Sequence, residues 1–129
     1  MGKRSLFLST AAEQVRQFNH TSRAATENWE FPSHSYYALG NLAQLTRMLP
    51  QAIEQSIRPV MHTYEHGRVL IDSGGDADQA VRDLVQALNS ALAHAGELAS
   101  AIDRMHAATS PMGLDTAGLP DFHEDGEVA

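Results

Sequence analysis

The chain contains no cysteine, so a disulfide framework, a thiolate metal site and a cysteine nucleophile are all excluded. It also lacks any apolar run approaching the roughly 20 residues that a membrane-spanning helix needs. The apolar stretch Leu6-Phe7-Leu8 ends after three residues, short of the ~7–15 of a secretory signal, and the expected location is cytoplasmic. Aromatic residues make up only 6% of the chain, which suits helix-on-helix packing better than a β-sandwich. The formal charge is −7, and its nine basic residues, eight of them Arg, nowhere form a cluster. Without a basic face for phosphate, no nucleic acid is expected as a partner, and no membrane either. There is no G-x-S-x-G elbow. Ser73-Gly74-Gly75-Asp76 precedes a helix, as an anion site would, but has neither the lysine nor the spacing of a phosphate loop. No cofactor is expected.

What the sequence does contain is helix. From Asp76 to Thr109 it runs 34 residues without proline and with only Gly96 to weaken a helix. Ala77, Leu84, Ala91, Leu98 and Met105 recur every seven residues, and Val81, Leu88, Ala95 and Ile102 recur on the same period four residues later. This spacing reads as one apolar seam of a helix about 50 Å long. Beside it runs a row of small residues, Ala80, Ala87, Ala101 and Ala108, with His94 in phase; small residues along one edge let a second helix approach closely.

Upstream, Thr10 with Glu13 has capping-box spacing and predicts a first helix over about 9–27, carried by Leu8, Ala11, Val15, Phe18, Ser22 and Ala25. Pro32 interrupts it, and Trp29 and Phe31 are expected to plug the end of the bundle. Ser33 is the expected N-cap of a second helical stretch over 33–66, its stripe running Leu42, Leu45, Leu49, Ile53, Ile57, Val60 and Tyr64. A break or sharp kink is expected near Leu49-Pro50 and a milder irregularity near Pro59. Gly67 stops the helix. Arg68 to Asp72 is a short extended run, Ser73-Gly74-Gly75 turns the chain, and Asp76 with Gln79 is a second capping-box pattern. Beyond Pro111 the composition is that of a disordered acidic tail, with Asp115, Asp121, Glu124, Asp125 and Glu127.

Several side-chain groups invite a chemical reading. His62-Thr63-Tyr64-Glu65-His66 matches the H-x-x-E-H pattern of the inverted zinc peptidases, in which both His bind zinc and the Glu is the general base. Those enzymes are far larger and take a third ligand from a distant helix, whereas Gly67 ends this helix one residue after His66. In a chain with seven His the match reads as chance. A second metal reading combines His94, Glu97, Asp103 and His106 with Glu65, but the Glu-x-x-His order of helical di-metal proteins is reversed or partial in each instance. Tyr36-Tyr37 with Leu39-Gly40 could line a small apolar pocket, though packing at the core edge accounts for them. Met112, Leu114, Leu119 and Phe122 space apolar residues through the acidic tail like a short docking motif, centred on Leu119 and Phe122.

Two resemblances bear on these readings. A small helical hairpin resembles type VII secretion substrates, but the turn lacks Trp-x-Gly, and the residues four after Tyr36, Tyr37 and Tyr64 are Gly40, Asn41 and Arg68 rather than an acid, so that assignment is rejected. The stretches A-A-E-Q-V-R-Q-F-N-H, W-E-F-P-S with Y-Y-A-L-G-N-L-A-Q-L-T-R-M-L-P-Q, and G-R-V-L-I-D-S-G-G-D are similar to a group of small helical actinobacterial proteins with no assigned activity. The likeness covers residues 11 to about 105 and implies a bacterial origin.

The expected fold is all-α: an antiparallel helical bundle of three to four helices built on a long hairpin. An N-terminal arm over 1–8, the bundle over 9–109 and a disordered tail over 110–129 are the expected parts. Because one short first helix cannot cover that hairpin, a second copy is expected to do so. The packing seam assigned to this dimer is Leu84, Leu88, Ala91, Ala95, Leu98, Ile102 and Met105. The expected function is that of a non-enzymatic interaction protein, a homodimer that binds another protein. The alternative is a metal-binding bundle or small metal-dependent hydrolase using His62, Glu65 and His66.

Overall fold

The computed structural model describes residues 3–118. It is all-α, with four helices in order: α1 (Lys3–Thr21), α2 (Pro32–Ser56), α3 (Arg58–Glu65) and α4 (Ala77–Thr109). Among the described residues the only β-type pairing is an isolated bridge between Thr26 and Trp29. None of the helices is long and apolar enough to cross a membrane, among the same residues. The chain divides into two compact units. One is Tyr36–Pro111; the other comprises the described residues on either side of it, and the boundary falls inside α2.

The larger unit is the expected antiparallel hairpin, with α2 and α3 running against α4. Three contacts fix the register. Tyr36 stacks on His106 with ring centroids 4.3 Å apart, Arg47 Nη1 donates to Asp103 Oδ1 at 2.7 Å, and the Tyr64 hydroxyl donates to Asp78 Oδ1 at 2.7 Å. Numbers rise along one arm as they fall along the other. The Arg47–Asp103 pair is about half exposed, so it sets alignment more than stability. The buried apolar side chains are mostly small: Ala43, Val81, Ala95, Ala99 and Ile102, with Thr46 the one buried polar residue. Its hydroxyl is satisfied by the Ala43 carbonyl at 3.0 Å. Alanine on both arms lets the helix axes approach closely, but it leaves little apolar surface buried per turn.

Four sequence expectations are corrected. The helix expected over 9–27 is α1, Lys3–Thr21, so residues 3–8 are its first turns rather than an arm. No Pro or Gly between Lys3 and Thr10 stops the helix from extending backwards. Thr10 is therefore interior, and Glu13 reaches forward to Arg16 and Gln17 instead of closing a capping box. That contact with the Arg16 guanidinium, then with Gln17, holds the Glu13 carboxyl below its ordinary range. The helix ends early because Trp29 captures it. The indole N–H donates to the Ser22 carbonyl at 3.0 Å, its ring meets Phe18 edge-on, and Asn28 takes a left-handed φ of 64° to turn the chain back. Trp29 thus plugs α1 itself, and Phe31 packs on His34.

The second correction is the N-cap of α2. Pro32 opens the helix, where a missing N–H is harmless, and the capping acceptor is His34 rather than Ser33. His34 Nδ1 accepts from the N–H groups of Glu30 and Phe31, both at 3.0 Å. The Ser33 hydroxyl has no hydrogen-bond partner.

Third, the two prolines exchange roles. α2 continues through Pro50, and the break comes at Ile57, after which Pro59 lies in the first turn of α3. A first-turn proline is pre-organised for a helix start, whereas Pro50 leaves the Thr46 carbonyl without its helical donor. α3 then ends as expected at Gly67, with φ +65°. Gly67 N–H donates to Tyr64 O at 2.9 Å and Arg68 N–H to Thr63 O at 3.1 Å, the paired bonds of a Schellman stop.

Fourth, only half of the Asp76/Gln79 capping box forms. The Asp76 carboxylate accepts from the N–H groups of Asp78 and Gln79, but the Gln79 side chain is engaged with Arg82 and Asp83.

The proline assignments yield a paired test. Pro50→Ala restores a donor to Thr46 O and is expected to raise the unfolding free energy by about 1–3 kcal/mol, even after the unfolded chain gains freedom. Pro59→Ala is expected to change it by less than about 1 kcal/mol in either direction. Urea midpoints measure both, and a destabilised Pro50→Ala would contradict the assignment.

Candidate functional site

α4 carries the side chains of greatest interest, and the structure divides them differently from the sequence. The seam read as single is shared between two rows. One row, starting at Val81 and stepping by four and three to Val85, Leu88, Leu92, Ala95, Ala99, Ile102 and His106, is buried or half-buried throughout. It faces the other arm of the hairpin. The other row comprises the residue preceding each of these, so it lies about 100° around the helix. It includes Leu84 and Ala91, which are half-buried, and Leu98 and Met105, which remain 48% and 52% exposed. Along this row Leu84, Ala91 and Ala101 are half-buried, and Leu98 and Met105 are the large apolar members left exposed. Ala87 and Ala108 of the small-residue row are exposed as well, with His94 between them. Of the seven residues assigned to the packing seam, Leu88, Ala95 and Ile102 are used within the chain, while Leu98 and Met105 are left open.

Around His62 and His66 the geometry is local. The rings lie 4.6 Å apart, and His66 Nδ1 is 2.8 Å from the His62 carbonyl. Both imidazoles and Glu65 are exposed. The second set is dispersed: Asp103 is paired with Arg47, His94 meets only Ser90 at 3.4 Å, and Glu97 is exposed. Among the described residues, no group of three or more His, Cys, Asp or Glu could hold a metal ion.

One cluster escaped the sequence reading. His106 packs on Tyr36 with the two rings tilted by 33°, Tyr36 also meets Tyr37 edge-on, and a Cβ on Gly40 would come within 3.0 Å of His106 Nε2. Gly40 therefore makes room for the imidazole between the arms. Tyr36 and Gly40 are four apart and so share a face, but only the register of the hairpin shows that His106 meets them. In the smaller unit an open recess is lined by Phe18, Thr21, Ser22, Thr26, Glu27 and Trp29, whose indole N–H is already committed to Ser22. Leu119 and Phe122, the expected docking motif, lie outside the described residues.

Comparison of the chain with protein-family models, with curated proteins and with solved structures finds no match.

At the hairpin's turn end, the hydrogen bond to Asp78 is the main reason that the Tyr64 phenol titrates above its ordinary value; partial burial and the Asp78 charge add to it, and Arg82 opposes. The bond favours the neutral phenol. Its contribution is therefore complete below the ordinary phenol pKa and is lost as pH rises through the higher folded value. In a phenolate absorbance titration, Asp78→Asn is expected to move one of the three tyrosines to lower pH. An unchanged titration would show that the contact does not form.

Proposed function

We propose that the chain is a non-enzymatic helical assembly protein that acts as a homodimer and presents its remaining surface to another protein. The observation that carries this reading is the poverty of the core. Among the described residues no large side chain is fully buried, while Leu98, Met105, Leu42, Met48 and Tyr37 are all exposed on the hairpin. Isolated exposed apolar residues are ordinary, but Leu98 and Met105 lie two turns apart on one face of α4, and such a pair at helical spacing favours association. Sedimentation equilibrium at micromolar concentration is expected to give twice the 14.0 kDa chain mass. Met105→Glu is expected to shift the protein toward the single-chain mass without loss of helical signal. A wild-type mass of one chain contradicts the proposal.

A second reading, a divalent-cation site held by His62 and His66 without Glu65, is favoured by one observation. The contact of His66 Nδ1 with the His62 carbonyl leaves Nε2 as the free lone pair, the arrangement metal-bound histidines adopt. On that reading, equimolar Zn2+ raises the melting temperature, and His66→Ala abolishes the rise. An unchanged melt with and without Zn2+ removes it.

A further inference from the structure

We infer that the open row of α4 is covered by the same row of a second copy, with the two α4 helices antiparallel and crossing at their midpoint, between residues 92 and 93. The inference rests on the self-association proposed above and specifies its geometry.

Three observations support it. The first is the order of sizes along the row. In this register Leu84 meets Ala101 of the second copy, Leu98 meets Ala87, His94 meets Ala91 and Met105 meets Ala80. Every layer then sets one large side chain against one small, and the layers have similar thickness. A parallel, in-register pairing would instead set Leu84, Leu98 and Met105 each against itself, with Ala87 and Ala101 facing their own copies. Thick and thin layers would alternate and leave voids, which packed interiors avoid. The midpoint register also uses α4 from end to end, since the helix runs Ala77–Thr109.

The second observation is charge. Asp83 and Arg104 both immediately precede members of the open row and flank it on its solvent side; both are exposed. The antiparallel register brings Arg104 of each copy beside Asp83 of the other, within about 3 Å along the axis. Two such pairs form by symmetry. A parallel pairing keeps these two charges at opposite ends of the interface.

The third observation is the neighbouring surface of α2. Helix handedness and the hairpin register place Leu42, Leu49 and Ile53 on the same side as the open row. Leu42 is exposed, and Leu49 and Ile53 are half-buried. The face offered to the second copy is thus two helices wide, and its pairing yields a four-helix core from two hairpins. Met48 and Tyr37, though exposed, lie on the opposite side of α2 and remain outside.

The absence of native cysteine makes the test direct. Ala87→Cys and Leu98→Cys are prepared as separate full-length chains and oxidised alone and as an equimolar mixture. The mixture is expected to form a disulfide-linked dimer, because the two positions meet across one layer. Neither variant alone is expected to link, since each residue lies about 16 Å from its own copy along the axis. In parallel, Arg104→Asp is expected to weaken the dimer about fivefold, and adding Asp83→Arg in the same chain to restore it. Self-linking of either variant alone, without linking in the mixture, overturns the antiparallel register. A wild-type dimer by mass in which neither the variants nor the mixture links places the contact on another face and also overturns it. A single-chain mass for the wild type removes the dimer proposal itself.

Discussion

A helix with one apolar row at four-three spacing needs one neighbour; α4 has two such rows, offset by a single residue. They point about 100° apart, too far for one partner helix to cover both. The hairpin arm formed by α2 and α3 takes the row from Val81 to His106, and the other stays open over Leu98 and Met105. The remaining features of the larger unit follow from how the first row is filled. Only Val81, Ala95, Ala99 and Ile102 of this row are buried, two of them alanine, so the core is thin. A thin core contributes little apolar burial, which makes covering the second row energetically important and gives the dimer proposal its physical basis.

Register, rather than burial, is what the polar contacts in the hairpin provide. Tyr64 on Asp78 marks the turn end of the paired arms, while Tyr36 on His106 and Arg47 on Asp103, one turn apart on α4, mark the other. All three are at least partly exposed, so each is worth little by itself. Together they select one alignment among those that the thin apolar faces would tolerate. The Schellman stop at Gly67 and the Asp76 cap fix where the arms begin, and the intervening turn needs no strand to hold it.

The hairpin itself was legible because its signals are long and periodic: two helical stretches separated by Gly67 and by Gly74-Gly75. Less legible were features decided by competition between close neighbours. Thr10 and Glu13 satisfy a capping-box pattern, yet nothing before Thr10 prevents helix, so propagation wins. Ser33 is the better cap by residue preference, but the His34 ring reaches back to two N–H groups at once. Pro50 reads as a stronger break than Pro59, although the chain breaks where a proline can open the next helix at no loss. The two-row nature of α4 was hidden for a different reason. Counting by sevens merges rows that the 3.6-residue turn separates, and only the position of the facing arm shows which members are left over. Of the candidate chemistry, the H-x-x-E-H spacing does bring His62 and His66 together, while the set on α4 stays apart because Asp103 is taken by Arg47 and His94 faces outward.

Met105 and Met48 provide a matched pair of reporters, being 52% and 55% exposed in the single chain but on opposite sides of the hairpin. Their methyl resonances, recorded with a soluble paramagnetic relaxation agent, test directly whether the second row of α4 is covered in solution. Packing of α4 on α4 predicts strong protection of the Met105 methyl and full relaxation of Met48. Equal relaxation of the two would contradict it.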